Sequence, residues 1–338
     1  MSLYTHIFGT GGIGTGAIYS LEGDHTLGRD ETRLGVKLPN QDFCKLHNIS
    51  HYLSVILKDA APGVKVYPVG AVGSDQEGRG LLRLFETYGI AKDYVSSRRS
   101  HPTLHSICFQ YPDGSGGNIT ESKSASSSVG KSDIEPIAQA LQEKKSVVFA
   151  VPEVPLETRI HLLSLPGNKY LWKAASFLSS EIRTVFDEGV FEQLDFCAFN
   201  MDEARALMQE EKNTCHESRV AAEKCNKLVR EKNKDIELVI TDGGMGAFAF
   251  SRNRSEFLPA FGMKVENSAG AGDALFAGVI IGKVLGLPFI SDKKISGFKL
   301  AHALASLSVE SRDTINFTIS FQGLERFLKE KYRKEARA

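Results

Sequence analysis

Asn267-Ser-Ala-Gly270-Ala-Gly272-Asp273 runs straight into Ala274-Leu-Phe-Ala-Gly-Val-Ile-Ile, an apolar stretch with helical character. Glycine and alanine leave backbone N–H groups open to a ligand, and the helix that follows directs its free N–H groups and positive dipole end at an anion. Gly270, Ala271 and Gly272 are therefore a candidate anion hole. A carboxylate inside such a hole competes with the anion, unless Asp273 faces a hydroxyl that attacks a bound phosphate. Helix capping by Asp273 is the other reading the motif allows.

Two more stretches look like phosphate loops. Gly9-Thr-Gly11-Gly-Ile-Gly14 matches G-x-G-x-x-G, the dinucleotide fingerprint, and keeps an NAD(P)-dependent oxidoreductase open as an alternative. That fingerprint should open a helix, whereas Thr15 to Arg33 carries Gly16, Gly23 and Gly28 and no apolar face. Ala125-x-x-x-x-Gly130-Lys131-Ser132 fits a relaxed P-loop, but the preceding Thr120 to Ser124 is polar, so Lys131 is expected on a solvated loop before a helix.

The elements that position these motifs alternate along the chain. Short apolar runs at Leu3 to Phe8, Val64 to Val69, Ser146 to Ala150, Phe196 to Phe199 and Leu238 to Thr241 predict strands. Helices are predicted over Gln76 to Tyr88, Ser132 to Lys144, Met201 to Gln209, His216 to Lys232, Ala271 to Leu285, Ser291 to Val309 and Phe321 to Lys334. This is an α/β pattern, a mostly parallel sheet flanked by helices. Gly9 to Asn40 and Ser97 to Ser128 break it, being rich in Gly, Ser, Thr and His and too long for ordinary loops. Thr103 to Tyr111, the turn Pro112-Asp113-Gly114 and Asn118 to Glu121 suggest a small β substructure projecting from the sheet, a lid on a single domain spanning the chain.

Composition narrows the function classes. With 41 basic and 41 acidic residues among 338, the chain has no overall field to hold nucleic acid or an anionic membrane. Cys44, Cys108, Cys197, Cys215 and Cys225 form no C-x-x-C pair, which argues for reduced thiols and against zinc. The start MSLYTHIFGT has no secretory pattern, and Ala274 to Ile281 is stopped by Lys283 well short of a bilayer span, so a soluble cytoplasmic protein is expected.

Taken together, these residues resemble the ribokinase, or PfkB, family of carbohydrate kinases. Asn267 to Ile280 is similar to the family's D-T-x-G-A-G-D signature, with Asn267 for Asp and Ser268 for Thr. Val69-Gly-Ala-Val-Gly73-Ser-Asp75-Gln-Glu-Gly78, Asn200-Met-Asp-Glu203 and Thr241-Asp-Gly-Gly-Met-Gly246 resemble three further family motifs in the expected order. The resemblance implies a ribokinase-like fold and ATP-dependent phosphorylation of a hydroxyl on a carbohydrate-like small molecule, with Asp273 as base. It implies that Asn200 and Glu203 organise Mg²⁺ and the phosphates through water, although a capping box accounts for the same pair. Thr241, Gly243 and Gly246 correspond to the nucleotide turn, and His302 to a helix lining the adenine pocket or merely packed there. Asn267 stands at a monovalent-cation position without its usual charge, which leaves K⁺ activation open.

The positions that grip substrate are altered. Gly14 stands where relatives have a sugar-binding Asp, and Asp42-Phe-Cys-Lys45-Leu-His47-Asn48 keeps only the Asn of a Gly-Gly-x-x-x-Asn pattern. Asp24, Arg29 and Arg33, with Asn48, are the candidate substrate residues, or for the first three a solvated charged turn. Arg29, Arg33 and Lys45 point to an acidic or phosphorylated sugar. The resemblance also implies a homodimer through the lid. The altered positions keep a second alternative open, a non-catalytic sugar or nucleotide sensor on the same fold.

Overall fold

The computed structural model describes residues 2–112, 116–209 and 217–332. Asp113 and Gly114 of the expected turn, Cys215, the expected helix start at His216 and the expected helix end beyond Tyr332 lie outside the described residues.

The chain enters as β1 (His6–Thr10), makes β2 (Gly14–Leu21), β3 (Gly35–Lys37) and β4 (Asp42–Phe43), and continues into helix α1 (Lys45–Ala60). β5 (Lys65–Gly73), α2 (Gln76–Tyr88) and β6 (Tyr94–Arg98) follow, then β7 (Leu104–Gln110) and β8 (Gly116–Thr120). The later strands are β9 (Ser146–Ala150), β10 (Trp172–Ser176), β11 (Phe196–Asn200), β12 (Glu237–Thr241), β13 (Gly246–Ser251) and β14 (Arg254–Pro259). Between and after them come α3 (Lys131–Ile134), α4 (Ala138–Glu143), α5 (Leu156–Ser164), α6 (Ile182–Asp187), α7 (Met201–Met208) and α8 (Ser218–Lys232). Helices α9 (Ala271–Val284), α10 (Gly297–Ser308) and α11 (Phe321–Tyr332) complete the described fold.

Nine strands form the central sheet in the order β14-β13-β12-β11-β10-β9-β1-β5-β6. It is parallel from β12 to β6, with β13 and β14 antiparallel at one edge. Because side chains alternate across a strand, Ile7, Val147 and Phe149 enter one core while Phe8, Val148 and Ala150 enter the other. The first core is covered by α1, α2 and α9 to α11, the second by α3 to α8. Apolar runs buried on both faces are what make the parallel strands legible. β2, β3, β4, β7 and β8 build the separate smaller sheet expected from the two irregular segments.

Several local departures have physical causes. The helix expected over Ser132 to Lys144 is broken into α3, a 3₁₀ turn at Glu135–Ile137 and α4, at Pro136, which has no N–H to give. The helix expected from Ser291 starts only at Gly297, where Ser296 Oγ accepts the Lys299 N–H at 3.1 Å. Helix α1 escapes the sequence pattern because its buried face carries His47, Ser50, His51 and Ser54 among the aliphatics. The fingerprint glycines do not open a helix, since Gly14–Leu21 is a strand. Gly9 and Gly11 instead make room for the neighbouring strand, where added Cβ atoms would lie 2.1 Å from the Phe149 ring and 2.4 Å from Val151 Cγ2. Among the described residues no helix is long and apolar enough to cross a membrane.

Candidate active site

Helix α9 begins abruptly. Gly270 is left-handed at φ 81°, and a Cβ there would lie 2.3 Å from the Thr314 carbonyl oxygen, so only glycine makes this turn. No side chain caps the helix; the Ala271 N–H turns back to the Ser268 carbonyl oxygen at 3.3 Å, and the N–H groups that follow it in the first turn face an outside acceptor.

Asp273 sits in that first turn with only 9% of its surface exposed. Asn48 Nδ2 donates to Asp273 Oδ2 at 2.8 Å and to the Phe43 carbonyl oxygen at 3.0 Å, while Lys45 Nζ lies 3.6 Å from Asp273 Oδ1. Lys45 and Asn48 are three residues apart on α1, so one helix face brings both to the carboxylate. The charge of Asp273 pushes the Lys45 ammonium above its ordinary value despite burial. Asp273 is thus bonded across the chain, which goes beyond what helix capping requires.

Two carboxylates join this group that the sequence reading did not single out as site residues. Glu153, after β9, accepts the Lys45 backbone N–H at 3.1 Å, and burial pushes it up to about 7 with the nearby Lys45 charge opposing. It is held in a left-handed conformation at φ 81°. The buried Arg159 braces the same loop, Nε donating to the Val154 carbonyl oxygen at 3.2 Å while the guanidinium pairs with Glu181. Asp42 on β4 accepts from the Cys108 thiol at 3.4 Å and is raised first by burial, with the charge of Asp273 adding to the rise. Acidic residues just past the carboxyl end of a buried parallel strand were the available signal for Glu153. Asp42 had none, because its place depends on β4 pairing with β2.

A second cluster faces a cavity of ≈ 810 Å³ lined by Asn200, Thr241, Gly243, Gly246, Ala271 and Gly272 among others. Asn200 caps α7, its Oδ1 accepting the Glu203 N–H and Glu203 Oε2 accepting the Asn200 N–H, both at 2.8 Å. Asn200 is thereby fixed at the cavity edge with Glu203 bonded to its backbone, and burial pushes Glu203 up to about 7. Gly243 and Gly246 have φ of 50° and 124°, and a Cβ on Gly246 would lie 2.2 Å from the Leu258 carbonyl oxygen. The Thr241 hydroxyl donates to the Phe199 carbonyl oxygen at 3.4 Å. His302 also lines the cavity, but its Nδ1 is 3.1 Å from Tyr332 Oη, its ring packs on Phe261, and the Pro259 backbone takes a further hydrogen bond. Burial lowers it to about 4, so a neutral packed imidazole is present.

The other expected residues are elsewhere or differently engaged. Asp24, Arg29 and Arg33 follow the far end of β2, which lies seven residue steps, roughly 23 Å of extended strand, from Gly14. Arg33 pairs with Glu31 at 2.6 Å and donates to the His25 carbonyl oxygen, so these cations do not converge with Lys45 on Asp273. Asn267 is nearly buried, Nδ2 donating to the Arg312 carbonyl oxygen and Oδ1 accepting the Ala269 N–H, both at 2.9 Å. Lys131 is exposed at the start of α3. Among the described residues no group of three or more His, Cys, Asp or Glu could hold a metal ion directly.

Comparisons with known proteins bear on the family and the fold. A family model described as pfkB family carbohydrate kinase matches residues 48–320. No curated protein matches the sequence. Among solved structures, ribokinase from Giardia lamblia is similar at a TM-score of 0.77 and 15% identity, over 97% of this chain and 99% of that one. Burkholderia thailandensis nucleoside kinase, solved with inosine, gives 0.74 and 15% over 97% and 98%. Arabidopsis thaliana ribokinase, complexed with ribose and ATP, gives 0.69 and 17% over 96% and 99%. At these identities the likeness is one of fold.

Proposed function

The chain belongs to the pfkB family of carbohydrate kinases, and from that premise we propose that it transfers the terminal phosphoryl group of ATP to a hydroxyl of a sugar or sugar-like small molecule. The observation that carries the proposal is the position of Asp273. It directly follows Ala271 and Gly272, which line the cavity of ≈ 810 Å³, yet its carboxylate bonds to Asn48 on α1 beside Lys45 and Glu153. One residue therefore connects a cavity suited to a nucleotide with a polar cluster suited to an acceptor.

In this reading the acceptor hydroxyl gives its proton to Asp273 as its oxygen bonds to phosphorus, and the bond to the ADP oxygen breaks on the opposite side. A weak base suffices, because the hydroxyl becomes acidic only as the new bond forms. The N–H groups at Gly270, Ala271 and Gly272 meet charge on the transferred oxygens without reorganising. Thr241, Gly243 and Gly246 border the nucleotide, and the smaller sheet acts as a lid that keeps water from the phosphate. Asn200 and Glu203 fit Mg²⁺ held through water, since Glu203 is a half-buried carboxylate that a cation relieves and few protein ligands are needed. When bound, the metal neutralises phosphate charge. Asn267 argues for independence from K⁺, because it carries no charge and its side-chain N–H is already bonded to the Arg312 carbonyl oxygen. Ile107 and Ile119, paired across β7 and β8 and 43% and 66% exposed, support a homodimer through that face of the lid.

A coupled ADP-release screen over neutral sugars, sugar acids, nucleosides and sugar phosphates tests the proposal. At least one acceptor should raise ADP release well above that of ATP alone. A folded, Mg²⁺-supplied protein with no acceptor-dependent release across the panel would overturn it.

A further inference from the structure

The smaller sheet turns a bare stripe toward the acceptor cluster. Gly12, Gly14 and Gly16 alternate along the approach to β2 and the strand itself, so their missing side chains fall on one face. A Cβ on Gly12 would lie 2.3 Å from Glu153 Oε2, one on Gly14 2.9 Å from Cys44 Sγ, and one on Gly16 2.1 Å from Asp42 Oδ2. The three glycines let two carboxylates and a thiol lie directly against strand backbone. Asp42 reaches this position because β4 pairs antiparallel with β2, with Gly16 opposite Asp42.

The Asp42 carboxylate is poorly served there. Its partners are the Cys108 thiol at 3.4 Å, a weak donor, the Phe43 N–H, which is shared with Thr314 Oγ1 at 2.9 Å, and the Thr314 hydroxyl, which also faces Asn48 Oδ1 at 3.5 Å. Thr314 and Asn48 thus connect Asp42 to Asp273. A half-buried carboxylate with weak partners is costly unless a ligand brings better donors. The carboxylate is also accessible, since Asp42 and Gly16 line a cavity of ≈ 610 Å³. The charge of Asp273 bears on both Asp42 and Glu153, with the Lys45 ammonium as the opposing charge at Glu153, so the cluster repels anions and favours a ligand rich in hydroxyl donors. Both carboxylates are held above their ordinary values chiefly by burial, which is the condition a donating ligand would relieve.

We propose that Asp42 is a substrate-binding residue whose carboxylate accepts a hydrogen bond from one hydroxyl of a neutral sugar while another hydroxyl of that sugar faces Asp273. This rests on the kinase reading above and gives it a substrate class, neutral rather than acidic or phosphorylated.

The test is calorimetric binding of D-ribose, D-fructose, D-glucose and inosine to the full chain, to Asp42→Asn and to Cys108→Ala, with ATP binding measured on each. At least one neutral compound should bind the wild type, bind Asp42→Asn roughly 10- to 100-fold more weakly, and bind Cys108→Ala nearly as well as the wild type, with ATP affinity unchanged. Monodeoxy analogues of that compound identify the hydroxyl: one loses affinity in the wild type and loses no more in Asp42→Asn, a coupling that a purely structural Asp42 would not produce. If Asp42→Asn fails to fold, Asp42→Ala, which removes rather than alters the carboxylate, takes its place. Equal affinities in wild type and variant, or no binding of any of the four compounds to the wild type, overturns the role of Asp42. Loss of ATP binding in the wild type would instead overturn the kinase reading, so the two failures are distinguishable.

Discussion

Asp273→Asn separates catalysis from architecture. Asn keeps the shape, and its carbonyl oxygen can still accept the Asn48 Nδ2 hydrogen bond that spans 2.8 Å in the native protein. What is lost is basicity and charge. A positioned general base contributes about 10² to 10⁴ in rate, equivalent to roughly 3 to 5 kcal/mol of transition-state stabilisation. The stability cost is smaller. The Lys45–Asp273 pair spans 3.6 Å, but the Lys45 side chain is 39% exposed, so solvent screening holds its share below about 1 kcal/mol. Loss of an acidic group from the first turn of α9 adds about 0.3–1 kcal/mol. The variant should therefore melt only a few degrees lower, bind ATP normally and turn over 10²- to 10⁴-fold more slowly by coupled ADP release. Turnover within about tenfold of the wild type, in a variant of normal melting and ATP affinity, would refute Asp273 as the base. A collapse of folding would instead assign it to the helix terminus.

Lys131→Ala should leave ATP affinity within about twofold by calorimetry, because Lys131 is solvated at the start of α3, and a larger loss would put a phosphate site there. Replacing KCl by choline chloride should not change kcat, and Asn267→Asp should create a dependence on K⁺ by setting a carboxylate against the Arg312 carbonyl; K⁺ activation of the native enzyme sinks this reading. Burial lowers His47 to about 3 and His51 to about 4, and neither His47 nitrogen has a hydrogen-bond partner. Below about 6.5 the unfolded chain therefore binds more protons than the folded one, and stability falls as the pH drops toward about 4. At pH 5 each histidine costs about 2 kcal/mol, so His47→Leu should flatten the acid limb of a denaturant-midpoint profile, and an unchanged slope would refute the cause.

The α/β class and the long motifs were readable because they are local. Val147 to Ala150 is apolar at every position since both faces of that strand are covered, and Gly270 to Asp273 must have small residues wherever a chain turns into an uncapped helix. Asn200, Thr241 and Asp273 lie in such segments, so the sequence determined their local conformation together with their chemistry. The acceptor side was not readable in the same way. Asp42, Lys45, Asn48, Glu153 and Thr314 come from three separate stretches that meet only when β4 pairs with β2 and α1 packs against α9. The same dependence on pairing hid the role of Gly9 to Gly16, whose glycines resemble a phosphate loop but serve as close-approach positions for Phe149, Val151, Glu153, Cys44 and Asp42. Likewise Arg29 and Arg33 are near Lys45 in sequence, yet an extended strand carries them away from it. Residue types and short spacings set the elements and the anion-binding turn; which charges share a pocket was decided by strand pairing and helix packing, because electrostatic partners are fixed by distance through space.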